Sequence, residues 1–594
     1  MKDFLKYTLA TFTGLCIFCI IAFVFILFSI AGLMASSDEY AEIKDNSVLV
    51  LKLNGEISDH TQGDGDIISQ MKGEVSSSLG LDRIREAVTT AKENKNIKGI
   101  YIETGDISGS PATIQALHDL LVDFKTTKKF VVSYADSYSQ AAYYVASAGD
   151  KVWINPQGML SWHGIASQPH YLRDFLGKFG IKMQVVKVGQ YKSATETYTE
   201  DHMSDANREQ VSVYLNGIWN RFVSDVSVSR KISTDSLMAY ADQVMDFAPA
   251  TEYVTKHLVD GLLYEDEVKK EVKKLLKTDK DEEIPQVGIA QMIASGKDMD
   301  YDNDRIAIYY CEGSIVQEES EGLLMGDAGI VATKVCRDLE ALANDDDVKA
   351  VVIRINSGGG SAYASEQMWH QIMELKKTKP VVVSMGGMCA SGGYYMACGA
   401  SWIVAEPTTL TGSIGIFGTF PDAHVLTTEK LGLKYDKVTT NKHSDMSVVP
   451  TSRPFSTEEI ALLQKYINHG YATFTQRVAD GRKMKKEEVE KIAQGRVWLG
   501  KDAINIRLVD QLGNIDVAIK KAATLAKLKD YSTCNYPVPK DWMESLMEDS
   551  GNESYLSEQM QMMLGDYYDL FSLLRNIRNI SPVQALMEER VVFE

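Results

Sequence analysis

The stretch "DVKAVVIRINSGGG", residues 347–360, sets a β-branched apolar run ahead of a turn of small residues. A second stretch of the same plan, "NIKGIYIETGDISG", stands at 96–109, an offset of 251 positions. The offset persists downstream. "ASGGYYMACGA" (390–400) matches "YSQAAYYVASAG" (138–149), so Tyr143 and Tyr144 fall on Tyr394 and Tyr395. "IRLVDQLG" (506–513) matches "KHLVDGL" (256–262), and "DNDRIAIYYCEGSI" (302–315) resembles "DNSVLVLKLNGEI" (45–57). Self-similarity at a fixed spacing marks a repeated structural unit. The body is therefore read as a tandem duplication, 45–275 and 301–530, with a polar linker at 276–300 containing "KTDKDEEIPQVG" and a C-terminal tail at 531–594.

Within each unit short apolar runs alternate with helical patterns. "KAVVIRI" (349–355), "PVVVSM" (380–385) and "WIVAEP" (402–407) read as buried strands, and "SAYASEQMWHQIMELKK" (361–377) as a helix. Uninterrupted apolar strands alternating with helices imply an α/β fold with parallel pairing. In the tail, "YLSEQMQMMLGDYYDLFSLLRNIRNI" has helical apolar spacing and is expected to dock as a helix.

The chain has 594 residues, 45% hydrophobic and 24% charged, with a formal net charge of −19. That composition supports packed domains, and the acidic balance argues against nucleic acid as a partner. Tyr7 to Ala35 carries no charged residue and is long enough to span a bilayer. It exceeds the apolar core of a cleaved signal, so it is read as a single anchor behind a cytoplasmic tip of residues 1–6, with cleavage at Ala35 as the alternative. Lys2 and Lys6 precede it and Asp38, Glu39 and Glu42 follow, which favours a cytoplasmic N-terminus and an exported body. Outside the anchor, Cys311, Cys336, Cys389, Cys398 and Cys534 have no metal-type spacing and are expected to be free, mostly buried thiols.

Chemistry is expected at Ser391. It follows the strand 380–385 and a glycine-rich turn, and Gly392 and Gly393 open the next helix. A hydroxyl at such a strand-to-helix junction lies near free helix N–H groups. "NSGGGS", Asn356 to Ser361, is a second glycine-rich turn between strand and helix. Backbone donors there can approach a carbonyl closely, as acyl transfer requires for its oxyanion. Cys389 is the competing nucleophile, with small buried cysteine as its ordinary role. The base stays open on chemistry alone: His370, His424, His443 and His469 are available, and so is a lysine whose pKa is lowered by burial. No H-E-x-x-H pair and no phosphate-binding loop stands out, so neither metal nor cofactor is expected.

"INSGGGSAYASE", "ASGGYYMA", "TGSIGIFG", "GRVWLGKDA" and "VGQYKSATE" together resemble the signal peptide peptidase A family in its long, duplicated, membrane-anchored form, over essentially the whole chain. The resemblance implies a crotonase/ClpP-like fold in both halves and a Ser/Lys dyad split between them. Ser391 falls on the nucleophile position and Lys192 on the base position. It further implies oxyanion donors from Gly359, Gly360 and Gly392, with Asn356 and Ser193 in support. Gly358 stands where the family usually has proline. At the offset of Ser391 the N-terminal half has Gln140, and Lys442 is the nearest lysine to the counterpart of Lys192. The implied substrates are remnant signal peptides and similar hydrophobic peptides. The implied setting is a bacterial inner membrane with the catalytic body on the periplasmic side, in a homo-oligomer, commonly a tetramer. The rival readings are a crotonase-like acyl-transfer enzyme and a catalytically silent membrane scaffold.

Overall fold

The computed structural model describes residues 43–61, 79–279, 282–296, 304–318, 329–537 and 583–587, together with Phe593 and isolated positions between 6 and 21. The expected anchor and the apolar stripe at 555–580 lie almost wholly outside the described residues. Among the described residues no helix is long and apolar enough to cross a membrane.

The N-terminal half is built from β1 (Ser47–Ser58), α1 (Leu81–Glu93), β2 (Ile97–Gly109), α2 (Pro111–Lys125), β3 (Phe130–Ala135), α3 (Gln140–Ala146) and β4 (Lys151–Ile154). Strands β1–β2–β3–β4 pair in parallel in that order. The chain then gives β5 (Lys182–Lys187) and the long helix α4 (Asp205–Arg230). The stretch read as linker is not bare: β6 (Gln286–Val287) adds to β1, and α5 (Ile289–Ser295) packs on α1.

The C-terminal half repeats the plan with β7 (Arg305–Glu312), α6 (Ala332–Asn344), β8 (Val348–Ser357), β9 (Gly359–Ser361), α7 (Ala362–Thr378), β10 (Val381–Ala390), α8 (Gly392–Ala397) and β11 (Trp402–Ala405). It continues through β12 (Leu410–Gly412), β13 (Phe417–Asp422), α9 (Thr457–Arg482), β14 (Val497–Leu499) and α10 (Ile515–Ala526). Parallel pairing runs β7–β8–β10, with β11 and β12 both beside β10. From Ala350 to Ile353 every side chain of β8 is fully buried, which is why that run reads as continuous apolar sequence. Burial of Val351, Val352 and Ile353 contributes about 1.5–3 kcal/mol each.

The expected helical tail is in part strand. β15 (Ser532–Tyr536) extends the second sheet beside β7, and β16 (Val583–Leu586) lies between β9 and β13. β5 of the first half pairs antiparallel with β13 of the second, from Lys187↔Phe417 to Lys182↔Asp422. The two halves thus share a third sheet. A second tie is a buried ion pair: Arg354 of β8 reaches Asp59 through Nε at 3.0 Å and Nη2 at 3.2 Å. Arg354 is 3% exposed, and its Nη1 donates to Ser384 Oγ and the Met385 carbonyl, so the buried charge is paired and hydrogen-bonded.

Candidate active site

β10 delivers Ser391 to the point where it turns into α8. The residue has φ 53° and ψ −113°, a conformation that costs a serine about 1–3 kcal/mol. Its N–H donates to the Gly412 carbonyl at 2.8 Å, and its carbonyl accepts from Tyr395 N–H at 2.8 Å, so the turn is held at both ends. Ser391 occupies the N-cap position of α8, yet its hydroxyl makes no capping bond. In the other half α3 starts normally: Ser139 Oγ caps Ala142 N–H, and Gln140 Oε1 accepts from His163 and Gly164 N–H groups.

The hydroxyl of Ser391 is held by Lys192, whose Nζ lies 2.7 Å from Oγ. Lys192 ends the loop after β5. Val188 N–H donates to the Ile416 carbonyl, Tyr191 N–H donates to the Gln494 carbonyl, and Gln210 Nε2 donates to the Tyr191 carbonyl. Two glycines allow the lysine to be enclosed. A Cβ on Gly495, at φ +77°, would stand 2.7 Å from Lys192 N, and one on Gly415 would stand 3.2 Å from its Cδ. These lie in the "GRVWLGKDA" and "TGSIGIFG" stretches, which gives both motifs a physical reason. Lys192 is 1% exposed. Its amine bonds Ser413 Oγ at 3.0 Å and the Ser413 carbonyl at 3.1 Å, with no carboxylate among its partners. Burial alone pushes it from 10.5 down to about 7. Such an amine is substantially neutral at neutral pH and can accept a hydroxyl proton.

The other expected residues gather around this pair with different tasks. Ser193 Oγ accepts from Gln210 Nε2 at 3.2 Å, so the hydroxyl at the amine is that of Ser413 and not Ser193. Asn356 ties the glycine turn to β10 by accepting from Met388 N–H at 3.1 Å, and its amide donates to Glu312. Gly359 and Gly360 have φ of +105° and +155°, and Gly359 N–H donates to Ser357 Oγ at 3.1 Å. Gly392 packs on this turn: a Cβ there would come within 3.1 Å of Gly359 Cα and 2.6 Å of Ser365 Oγ. His424 is paired with Asp422 and His443 with Glu459, while Lys442 is an exposed partner of Glu458. Cys389 is fully buried and its thiol is pushed well above its ordinary range, which removes the competing nucleophile. All five described cysteines are free.

A serine hydroxyl at a strained strand-to-helix turn, facing glycine-rich backbone and hydrogen-bonded to a buried amine, is the constellation of a serine hydrolase. Residues 123–279 and 373–529, one stretch in each half, match peptidase family S49. The chain is 35% identical over 533 residues to Protease 4 of Salmonella typhi, covering 87% of this chain and 84% of that one. It is 31% identical over 494 residues to the chloroplastic serine protease SPPA of Arabidopsis thaliana, covering 82% and 70%. The chain belongs to peptidase family S49, and it is a serine protease built as a tandem duplication. A CoA-ligase family also matches residues 271–406, a span that crosses the junction and corresponds to neither half. A solved ClpP1 mutant from Listeria monocytogenes aligns with 35% of this chain and 91% of its own, at 17% identity and a TM-score of 0.23.

Proposed function

We propose that the protein is an endopeptidase whose nucleophile is Ser391 and whose general base is Lys192, acting on remnant signal peptides and similar hydrophobic peptides. The carrying observation is the 2.7 Å contact between an amine lowered to about 7 and a hydroxyl that caps nothing. Lys192 takes the Ser391 proton as Oγ attacks the peptide carbonyl. The developing oxyanion is met by backbone N–H groups from Gly392 and from the turn of Gly359 and Gly360, the Gly359 N–H turning to it from Ser357 Oγ, and each such donor is worth about 2.7–4 kcal/mol of barrier. Lys192 then protonates the leaving amine, and water resolves the acyl-enzyme. Ser413 orients the amine throughout, with Asn356 holding the glycine turn in place.

The charge-free stretch Tyr7 to Ala35 supports an anchor in a bacterial inner membrane with the catalytic body on the periplasmic side. There a single-pass enzyme meets apolar peptides in or leaving the bilayer. A homo-oligomer, a tetramer by resemblance, completes the reading. The test is hydrolysis of an apolar reporter peptide, paired with fluorophosphonate labelling. Wild type should cleave and label at Ser391, whereas Ser391→Ala should do neither and Lys192→Ala should lose both rates by roughly a hundredfold or more. Activity that survives Ser391→Ala would favour the rival acyl-transfer role, and a purified wild type that neither cleaves nor takes the label would favour the scaffold.

A further inference from the structure

The C-terminal strand meets both halves at the same repeat position. β16 runs antiparallel to β9, with Gly359↔Leu586, Gly360↔Ala585 and Ser361↔Gln584 in register, and its other edge pairs Gln584 and Val583 with Phe417 and Gly418. Ala585 is fully buried, and its carbonyl oxygen lies in the turn beside Ser391: a Cβ built on Gly359 would stand 2.0 Å from it, and one on Gly392 2.9 Å. Eight residues on, Phe593 N–H donates to the Gly109 carbonyl at 2.9 Å and Gly109 N–H donates back at 3.2 Å. Gly109 is the counterpart of Gly360, 251 positions apart.

The side chain of Phe593 is 1% exposed and sits on Phe222 with ring centroids 4.4 Å apart, with Tyr144 edge-on at 6.3 Å. Tyr144 is the counterpart of Tyr395, which stacks on Phe474 in the catalytic half at 4.3 Å. Met587 and Phe593 line a cleft of about 590 Å³ shared with Gln140, Ser193 and Gln210. Gln140 stands there at the offset of the nucleophile.

We propose that the N-terminal half, which has no nucleophile, persists as a peptide-binding site that pairs one substrate residue with Gly109 and takes an aromatic side chain against Phe222 and Tyr144. In the protein's own C-terminus that residue lies eight positions after the one paired with Gly360. The protein's own C-terminus occupies both points and competes with incoming peptides. Five of its six described residues, all but Gln584, are apolar, so the groove selects largely apolar peptides with a small residue at the catalytic turn and an aromatic one downstream. The competition with substrate rests on the dyad reading above; peptide binding by the silent half does not.

A fluorescent peptide of residues 582–594 is titrated into Ser391→Ala protein truncated after residue 581, with circular dichroism as the check on folding. The account expects saturable binding at least about tenfold tighter than for the same peptide carrying Phe593→Ala, and loss of that difference when the protein carries Phe222→Ala. Equal affinity for the two peptides overturns the second site. Absence of binding by either peptide to folded protein overturns the occupancy of both grooves. Should the truncation not fold, the full chain carrying only Phe593→Ala serves: its KM for an apolar dodecapeptide should fall several-fold, and an unchanged KM contradicts the proposal. An inactive wild type that still discriminates the two peptides removes the catalytic reading and supports this one.

Discussion

Lys192 owes its lowered pKa to enclosure. Nothing within a few residues of it in sequence marks it as a base, and the chain's other lysines compete for the role. Family resemblance singled it out; the physical cause lies in the tertiary fold, where Gly415 and Gly495 make room for a side chain with no counter-ion. The folded amine titrates near 7 and the unfolded one near 10.5. Between those values the unfolded chain holds a proton that the folded chain lacks, so stability rises with pH across that window and the full penalty applies below about pH 7. Lys192→Met, which removes the buried amine but keeps its length, is expected to raise Tm near pH 6 while abolishing hydrolysis, and thermal melts should show the gain shrinking towards pH 10. Ser413→Ala is expected to lower kcat by about tenfold with KM little changed, because the amine keeps the Ser413 carbonyl but loses the hydroxyl at 3.0 Å. The "TGSIGIFG" stretch contains that serine, and only its contact with a lysine 221 positions earlier in the chain reveals the role.

At the scale of elements, the turn at Ser391 is a helix start left uncapped by its own serine. On α3 of the other repeat the same strand–helix junction has ordinary capping by Ser139, and Gln140, at the offset of Ser391, lines the cleft beside it. Gly495 precedes β14 and presses on the lysine loop, so it is the element that seats Lys192 from outside. Gly495→Ala is expected to lower kcat at least about tenfold while leaving fluorescence-monitored folding cooperative; its Cβ would meet Lys192 N and Cα at 2.7–2.8 Å at a positive φ, costing about 1–2 kcal/mol. The buried strands 349–355, 380–385 and 402–407 were legible because parallel strands covered on both faces must be apolar throughout. The tail strand β16 was not, because "VQAL" is too short to carry a period and takes its conformation from the edges of β9 and β13.

The whole molecule is two repeats, and a lysine of one lies 2.7 Å from a serine of the other. The duplication was readable from a constant offset, and so was the glutamine at position 140 opposite Ser391, since both are matters of aligned residue identity. The pairing of β5 with β13 was not, because it joins segments about 230 positions apart whose sequences carry no mark of each other. That sheet and the Arg354–Asp59 pair fix the distance between amine and hydroxyl. Arg354→Met leaves Asp59 buried without its partner and is expected to destabilise the protein by about 3–5 kcal/mol, read as a lowered Tm, with hydrolysis falling as the halves lose register. The central claim is that one repeat supplies a neutral amine to the hydroxyl of the other. Its most direct test is the pH dependence of kcat/KM for peptide hydrolysis, which for the free enzyme reports the ionisation of the base. The account predicts a rate that climbs with pH through a midpoint of about 7 in wild type and a residual rate in Lys192→Ala without that limb; the same limb persisting in Lys192→Ala would contradict it.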